Sequence, residues 1–438
     1  MDHHANQTPA ANQTPAANQI PAANQTPAAP PPPTANQTPA ASAPAHQTPA
    51  ARPRSAAPEA EETRMPEARR ETATDAARRA PASRRKRRAL PAALLAIACL
   101  LLCVALQCFC GRYGASRYWE HHDVLSLRST IGLANVGRVA CVQPDGKLAA
   151  ADVRMEHFPA VAGQWDDLTS VSVGTNSLAA IRADGSVAAA AWDEEYAPED
   201  LVFRGSGAPD AGQFDVSDWS NMILVRVGSS YTVGLQRNGK LALAGEWSAM
   251  FGGLESLFGL SELKMKHWNG LVDFDCSDTT GCAVGVRYNG RIVSTGFTGG
   301  NLDRIRREMN RWEDVVRVCV DGYDVYALRS DGTVVTTNES MDLSEWTDVV
   351  SISGDSLYLL GLRKDGTVLA AQSADQDPET AQWLAGFSSW RDIREIFAGD
   401  TAAIGVHNDG SIEALEKFEG LWIEDSVSQW HAADPKSK

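Results

Sequence analysis

The first 88 residues contain no tryptophan, phenylalanine, tyrosine, leucine, valine, cysteine or glycine. Without large apolar side chains there is nothing to bury, and the entropy of ordering the backbone goes unmatched. That absence excludes a folded core, and residues 1–88 are expected to form a disordered tail. The rest of the chain is short of positive charge. It carries 28 Lys and Arg against 48 Asp and Glu, whereas the first 88 residues carry 12 against 7. An acidic globular part repels phosphates, so nucleic acid is excluded as a partner. Cysteine is scarce beyond residue 110, where only Cys141, Cys276, Cys282 and Cys319 occur. No nucleophile elbow and no phosphate-cradling loop occurs, and His121 and His122 have no second ligand group at metal-site spacing. No catalytic residue, metal ligand or cofactor is therefore assigned, and the chain is not read as an enzyme.

The tail is built on the hexapeptide Ala-Asn-Gln-Thr-Pro-Ala, repeated from Ala5 and seen again at Ala35. A proline every sixth residue keeps such a chain extended. It is either a plain spacer or a display of Thr-Pro sites (Thr8, Thr14, Thr26, Thr38) for phosphorylation.

Residues 89–109 form an uncharged apolar run of 21 residues, enough to cross about 30 Å of hydrocarbon as a helix. Pro91 falls in its first turn, where a missing N–H costs least. Arg84, Arg85, Lys86, Arg87 and Arg88 precede it directly. The positive-inside tendency holds that cluster in the cytoplasm and places the C-terminal remainder of the chain outside. The expectation is a single-pass membrane protein: a cytoplasmic tail, a transmembrane helix at 89–109, a linker at 110–118 and an external domain at 119–438. Cys99, Cys103, Cys108 and Cys110 lie in or beside the apolar run, as acylation sites or as apolar filler.

The external part repeats. Tryptophan, an alternating apolar run, Asp-Gly or Asn-Gly, then a short apolar run recur seven times. The turn residues are Asp145, Asp184, Asn238, Asn289, Asp331, Asp365 and Asp409. Trp165, Trp219, Trp312, Trp346 and Trp390 each lie 19 residues before their turn residue; Trp268 lies 21 before and Trp119 lies 26 before. Asp-Gly and Asn-Gly suit a two-residue type I′ hairpin turn. The residue four before each turn is always small: Cys141, Ala180, Gly234, Gly285, Ala327, Gly361 and Gly405. A small side chain there implies close approach of another strand or blade. Roughly 45 residues per copy, all in strands, is the signature of a propeller blade of four short strands. The fold class is all-β, a seven-bladed β-propeller behind one transmembrane helix and a disordered tail. Either Trp119 or the stretch Leu421 to Trp430 could contribute to ring closure.

These repeats resemble the regulator of chromosome condensation repeat family in its short bacterial form. The residues that carry the resemblance are Gly361-Leu362-Arg363-Lys364-Asp365-Gly366-Thr367-Val368, Gly234-Leu235-Gln236-Arg237-Asn238-Gly239, and Gly212-Gln213 leading to Trp219. The resemblance covers about residues 119–430. It implies a propeller that works by protein contact through its loops: nucleotide exchange on a small GTPase, partner recruitment or β-lactamase inhibition. One departure concerns a His that the family often carries seven residues before the turn. Here those positions hold Ser177, Tyr231, Cys282, Asp324, Tyr358 and Ala402.

Three segments are candidate binding loops. Trp192 to Phe203 mixes carboxylates with aromatics. Trp247 to Leu260 is apolar; if exposed, Met250, Phe251, Leu254 and Phe258 would form an adhesive patch. Leu302 to Trp312 has helical spacing and carries Arg304, Arg306, Arg307 and Arg311, suited to an anionic partner or a lipid surface. Cys276 and Cys282 flank the first turn of the fourth repeat and could form a disulfide outside the cell. The functional expectation is a membrane-anchored extracellular recognition module that binds a protein or a cell-envelope polymer through its propeller loops. Two other classes stay open. One is a transmembrane sensor with a phosphorylatable Thr-Pro tail. The other is an envelope glycan-acting enzyme, which would need carboxylates about 5 to 10 Å apart at the channel mouth.

Overall fold

The computed structural model describes residues 83–436 apart from 135–136, 153–161, 193–211, 229, 247–263, 278, 356–357, 374–377, 401 and 419–422. The hexapeptide tail lies outside the described residues. A single helix, α1 (Ser83–His121), carries the apolar run, with Arg84 to Arg88 at its start. From Leu94 it is long and apolar enough to cross a membrane. The expected linker at 110–118 is instead helical, because nothing between Cys110 and His121 breaks the helix: no proline occurs, and Gly111 and Gly114 are packed against the propeller.

Twenty-one strands come after it among the described residues, in seven antiparallel sheets of three. Blade 1 holds β1 (Ile131–Ala134), β2 (Arg138–Val142) and β3 (Leu148–Asp152). Blade 2 holds β4 (Leu168–Val173), β5 (Ser177–Arg182) and β6 (Val187–Ala191). Blade 3 holds β7 (Met222–Val227), β8 (Tyr231–Gln236) and β9 (Leu241–Gly245). Blade 4 holds β10 (Leu271–Cys276), β11 (Ala283–Arg287) and β12 (Ile292–Thr295). Blade 5 holds β13 (Val315–Asp321), β14 (Asp324–Arg329) and β15 (Val334–Thr336). Blade 6 holds β16 (Val349–Gly354), β17 (Tyr358–Arg363) and β18 (Val368–Gln372). Blade 7 holds β19 (Ile393–Ala398), β20 (Ala402–His407) and β21 (Ile412–Glu416). The first strand of each sheet lies against the first strand of the next, and β19 returns to β1, so the ring is closed. The protein is a seven-bladed β-propeller. Three strands per blade are described, where four were expected; after β18 the chain enters helix α3 (Pro378–Ala385) instead, and α2 (Leu302–Met309) lies beyond β12.

The repeat residues hold the blades together. Trp165, Trp219, Trp268, Trp312, Trp346 and Trp390 are all buried. Where the small residue four before the turn is glycine (Gly234, Gly285, Gly361 and Gly405), it faces the tryptophan of its own repeat. A Cβ on Gly361 would come within 2.5 Å of the Trp346 ring, and one on Gly405 within 2.8 Å of Trp390. The close approach is thus an indole lying across the strand, not a neighbouring blade. Blades bury against one another as well: Tyr326 and Leu328 of blade 5 share a cluster with Trp346, Val349 and Leu359 of blade 6.

The turns differ from the expected type I′. In blade 6, Gly366 N–H donates to Arg363 O at 3.0 Å and Arg363 N–H donates to Thr367 O at 2.8 Å. Of the turn pair, only Gly366 has positive φ, at 80°. This is a three-residue loop, a type I turn closed by a left-handed glycine. The aspartate stays right-handed because its carboxylate caps the loop: Asp365 Oδ1 accepts from Thr367 N at 3.0 Å and Thr367 Oγ1 at 2.6 Å. A second left-handed residue stands two after the tryptophan in blades 2 to 7: Asp167, Asn221, Gly270, Asp314, Asp348 and Asp392. Only Asp, Asn and Gly occupy it, the residues that tolerate that conformation best. Its carbonyl accepts from the turn (Lys364 N to Asp348 O, 3.0 Å), and the turn glycine's carbonyl accepts from the next blade (Val349 N to Gly332 O, 3.1 Å). Adjacent blades are locked by backbone along one face, called here the turn face.

Trp119 is not the tryptophan of blade 1. It lies in α1 and is buried in the core of blades 3 and 4. Trp430 takes the vacant place: its N–H donates to Val427 O at 2.9 Å, as Trp346 N–H does to Leu343 O at 3.0 Å. Ala432 N–H then donates to Gly410 O and Ala433 N–H to Val142 O, each at 2.8 Å. The innermost strand of blade 1 is thus composite, with its start from the C-terminal end and the rest from β1. This non-covalent seam closes the ring.

Candidate functional site

Helix α1 reaches the propeller at the turn face. Its free part ends near Phe109, which is 66% exposed, whereas Gly111, Ala115 and Trp119 are buried. Gly111 packs on Asn269 and Gly270, Gly114 on the Tyr288 ring, and Ala115 on Gly239. Arg237 donates to Trp119 O at 3.4 Å. Past α1 a short 3-10 turn, Val124–Leu127, packs with Leu224 of the inner strand β7 before the chain enters β1. Tyr118 lies close enough to the inner-strand pair Asp273 and Arg317 to feel both charges; its phenol is raised chiefly by burial. Helix α1 therefore occupies the turn-face side of the ring at blades 3 and 4.

The inner strands cannot pair backbone to backbone around the whole ring, so polar side chains bridge them. Arg226 of blade 3 pairs with Asp275 of blade 4 at 2.9 Å. Asp273 and Asp275 accept from Val318 N and Val320 N of blade 5, each at 2.9 Å. Glu395 of blade 7 accepts from Thr130 N and Oγ1 of blade 1, each at 2.8 Å. Burial raises Asp273 to about 6 despite the opposing pull of Arg317 and Arg226. These carboxylates are committed to holding backbone N–H groups.

The opposite face, formed by the connections between first and second strands, is different at blades 5 to 7. Asp321, Asp355 and Asp400 come from three successive blades and influence one another there. Asp321 is pushed up to about 7, first by burial and then by Asp355, Asp324 and Asp275. Asp400 is pushed up to about 7 by burial and by a hydrogen bond and charge shared with Asp355. Asp321 Oδ2 is buried with no hydrogen-bond partner among the described residues. No group of three or more ligating side chains among them could hold a metal ion. The arrangement can exchange protons near neutral pH and can attract cationic groups. Sequence reading missed it, although a signal existed. Nine residues after the tryptophan stand Gly174 and Gly228 in blades 2 and 3 but Asp321 and Asp355 in blades 5 and 6, with Asp400 one place later in blade 7.

The residues singled out from the sequence are not brought together. Met250, Phe251, Leu254 and Phe258 lie outside the described residues, as do 193–203 of the first loop; Trp192 itself is buried under the Arg138 guanidinium. Arg304, Arg306 and Arg307 lie on α2, whose Ile305 and Met309 are buried, and Arg311 comes just after it. Arg304 pairs with Glu339 at 2.6 Å and Glu308 at 3.3 Å, and Arg306 with Asp303 at 2.9 Å. Carboxylates thus compensate two of the four guanidiniums. Cys276 pairs across the hairpin with Ala283, one residue past Cys282. That register sends the two sulfurs to opposite faces of the sheet, and both remain thiols. Two of the positions of the missing histidine bridge blades instead: Ser177 Oγ donates to Gly228 O and Tyr358 Oη to Gly399 O, each at 2.9 Å.

No protein-family model matches the chain, and no curated protein sequence does. Solved structures to which it is similar include the CRINKLY WD40 ectodomain of the Arabidopsis thaliana receptor kinase ACR4, at 11% identity over 66% of this chain and 94% of that one, with TM-score 0.43. Another is Prp20p from Saccharomyces cerevisiae, described with its binding to Gsp1p and histones, at 13% identity over 60% and 74%, with TM-score 0.38. A third is yeast RCC1 (Prp20) bound to Kap60, at 13% identity over 66% and 77%, with TM-score 0.40.

Proposed function

We propose that this chain is a membrane-anchored recognition module whose propeller stands outside the cell and binds a protein or cell-envelope polymer. The observation that carries this reading is the placement of α1. The anchor enters at the turn face, so the opposite face, with its variable connections, points away from the membrane and is open to a partner. The basic cluster Arg84 to Arg88 before the apolar run supports a cytoplasmic tail. The carboxylates at the open mouth favour a partner that offers cationic groups.

The test uses the full chain in its own cells. Protease added outside should degrade the propeller and spare the tail; the reverse pattern overturns the topology. Cross-linking from the intact surface should then trap a specific partner. The variant Asp321→Asn with Asp355→Asn and Asp400→Asn should reduce that capture about tenfold. Capture unchanged by the variant removes the mouth from the reading. A correctly placed, folded propeller that traps nothing specific overturns recognition.

A further inference from the structure

The turn face carries an electrostatic sector that matches the docking place of α1. Counting each five-residue turn with the two residues after the tryptophan, blades 3 and 4 are each net +2. Blades 1, 2, 5, 6 and 7 are each neutral or negative by the same count, with His neutral and Trp430 assigned to blade 1. The change is made at positions whose backbone role does not require it. Five turns use Asp; blades 3 and 4 use Asn238 and Asn289. Both asparagines keep the turn's own hydrogen bond: Asn238 Oδ1 accepts from Lys240 N at 3.1 Å and Asn289 Oδ1 from Arg291 N at 3.3 Å, as Asp145 Oδ1 does from Lys147 N at 3.0 Å. The left-handed position is likewise Asn221 and Gly270 in these blades and Asp in blades 2, 5, 6 and 7, while blade 1 has Ala432 in its place. Turn geometry is therefore preserved while negative charge is removed from two adjacent blades.

Depth along α1 gives the second argument. Asn269 of blade 4 meets Gly111 and lies 3.9 Å from Cys108 Sγ, at the level of the last turn of the apolar run. A helix of 21 apolar residues rises about 32 Å, close to the hydrocarbon thickness, and leaves no slack between bilayer and propeller. Beside this level stand Phe109 stacked on Tyr113, and Tyr288 at the blade 4 turn, which is 38% exposed. Tyrosines at the end of a spanning helix suit the headgroup layer.

We propose that the turn face of blades 3 and 4 is a lipid-contacting surface that seats the propeller on the headgroups of an anionic bilayer. Tyr113 and Tyr288 enter the interface, the Arg237 guanidinium and the Lys240 ammonium face lipid phosphates, and Arg291 stays paired with Glu313 at the blade 5 border. The neutral and acidic turns of the other blades lift away, so the disc sits tilted and its open mouth points outward at a set angle. The inference rests on the anchoring of α1 in a membrane.

The experiment uses the full chain in nanodiscs of phosphatidylcholine and phosphatidylglycerol that contain a phospholipid with a photoactivatable diazirine near its headgroup. Adducts are mapped by mass spectrometry. Adducts on residues 89–110, and on the Tyr288 turn at about five times or more the level of the Asp365 turn, are expected. Adducts on 89–110 with equal labelling of the two turns overturn the seating and leave the anchor standing. No adducts on 89–110 overturn the anchor and the seating together. The variant Asn238→Asp with Asn289→Asp keeps the turn bonds and should lower labelling at Tyr288 about threefold in these discs. Unchanged labelling in that variant overturns the electrostatic part of the proposal.

Discussion

The two faces of the propeller are built by different means. On the turn face, every blade is fixed to the next by a turn glycine carbonyl that accepts a backbone N–H, and at six of the seven junctions that N–H comes just after a left-handed residue. On the open face, blades meet through side chains, such as Ser177 and Tyr358 reaching glycine carbonyls, and through carboxylates that share charge. Backbone locks recur because they demand only conformation, so any residue that fits the conformation serves. Side-chain contacts can change blade by blade, and the open face has diverged from repeat to repeat accordingly. The face that repeats is also the one from which α1 emerges, and the face that varies is the one opposite it.

The comparison breaks most severely at the seam. Val349→Pro deletes one backbone lock within continuous chain and should cost ~3 kcal/mol. Ala432→Pro deletes the equivalent lock where only non-covalent contacts close the ring, and should cost more than Val349→Pro and blunt the cooperativity of thermal unfolding. Equal losses in calorimetry would mean that the seam is no weaker than any other junction.

The open face should be set apart by its pH dependence. Asp321 and Asp400 have folded values of about 7, above the ordinary carboxylate value they recover on unfolding. A raised carboxylate contributes full stability below its unfolded value, and that contribution falls away as pH rises towards the folded value. Above the folded value both states are ionised and the penalty for burying the charge is complete. Stability should therefore decline between about pH 4 and pH 7, and because solvent screens the partly exposed Asp400 the decline is held to on the order of 1–3 kcal/mol. Asp321→Asn with Asp400→Asn should flatten that decline in denaturant titrations. A slope unchanged by the pair would locate its cause elsewhere.

The smallest effect belongs to the turns. Asp365→Asn keeps the cap on Thr367 and should leave the urea midpoint at neutral pH nearly unchanged. It should also remove part of the acid sensitivity, because the hydrogen bonds from Thr367 hold the Asp365 carboxylate below its usual range. A clear drop in the urea midpoint would show that the charge, and not only the acceptor, supports the turn.

Much of the architecture is legible without coordinates. The indoles, the small residue beneath them and the Asp-Gly or Asn-Gly pair recur at fixed spacing because every blade solves the same packing problem. The same register also contains the left-handed Asp, Asn or Gly two residues after the tryptophan in blades 2 to 7, a signal whose meaning emerges only with the backbone angles. Trp119 misleads because residue type alone matches the pattern, while its 26-residue spacing departs from the other copies. Its burial between blades 3 and 4 depends on a helix that does not end where the apolar run ends.

By itself, the sequence determined the all-β repeat architecture, the number of blades and the apolar helix before them, since all three are periodic or local. Tertiary structure alone decided which ends of the chain share blade 1, where α1 docks and which carboxylates meet at the mouth. Ring closure joins residues about 300 positions apart, and Asp321, Asp355 and Asp400 become neighbours only when three blades pack side by side. Local rules of backbone and periodicity repeat in every blade and can be read one at a time. Encounters between distant segments depend on the closed ring as a whole.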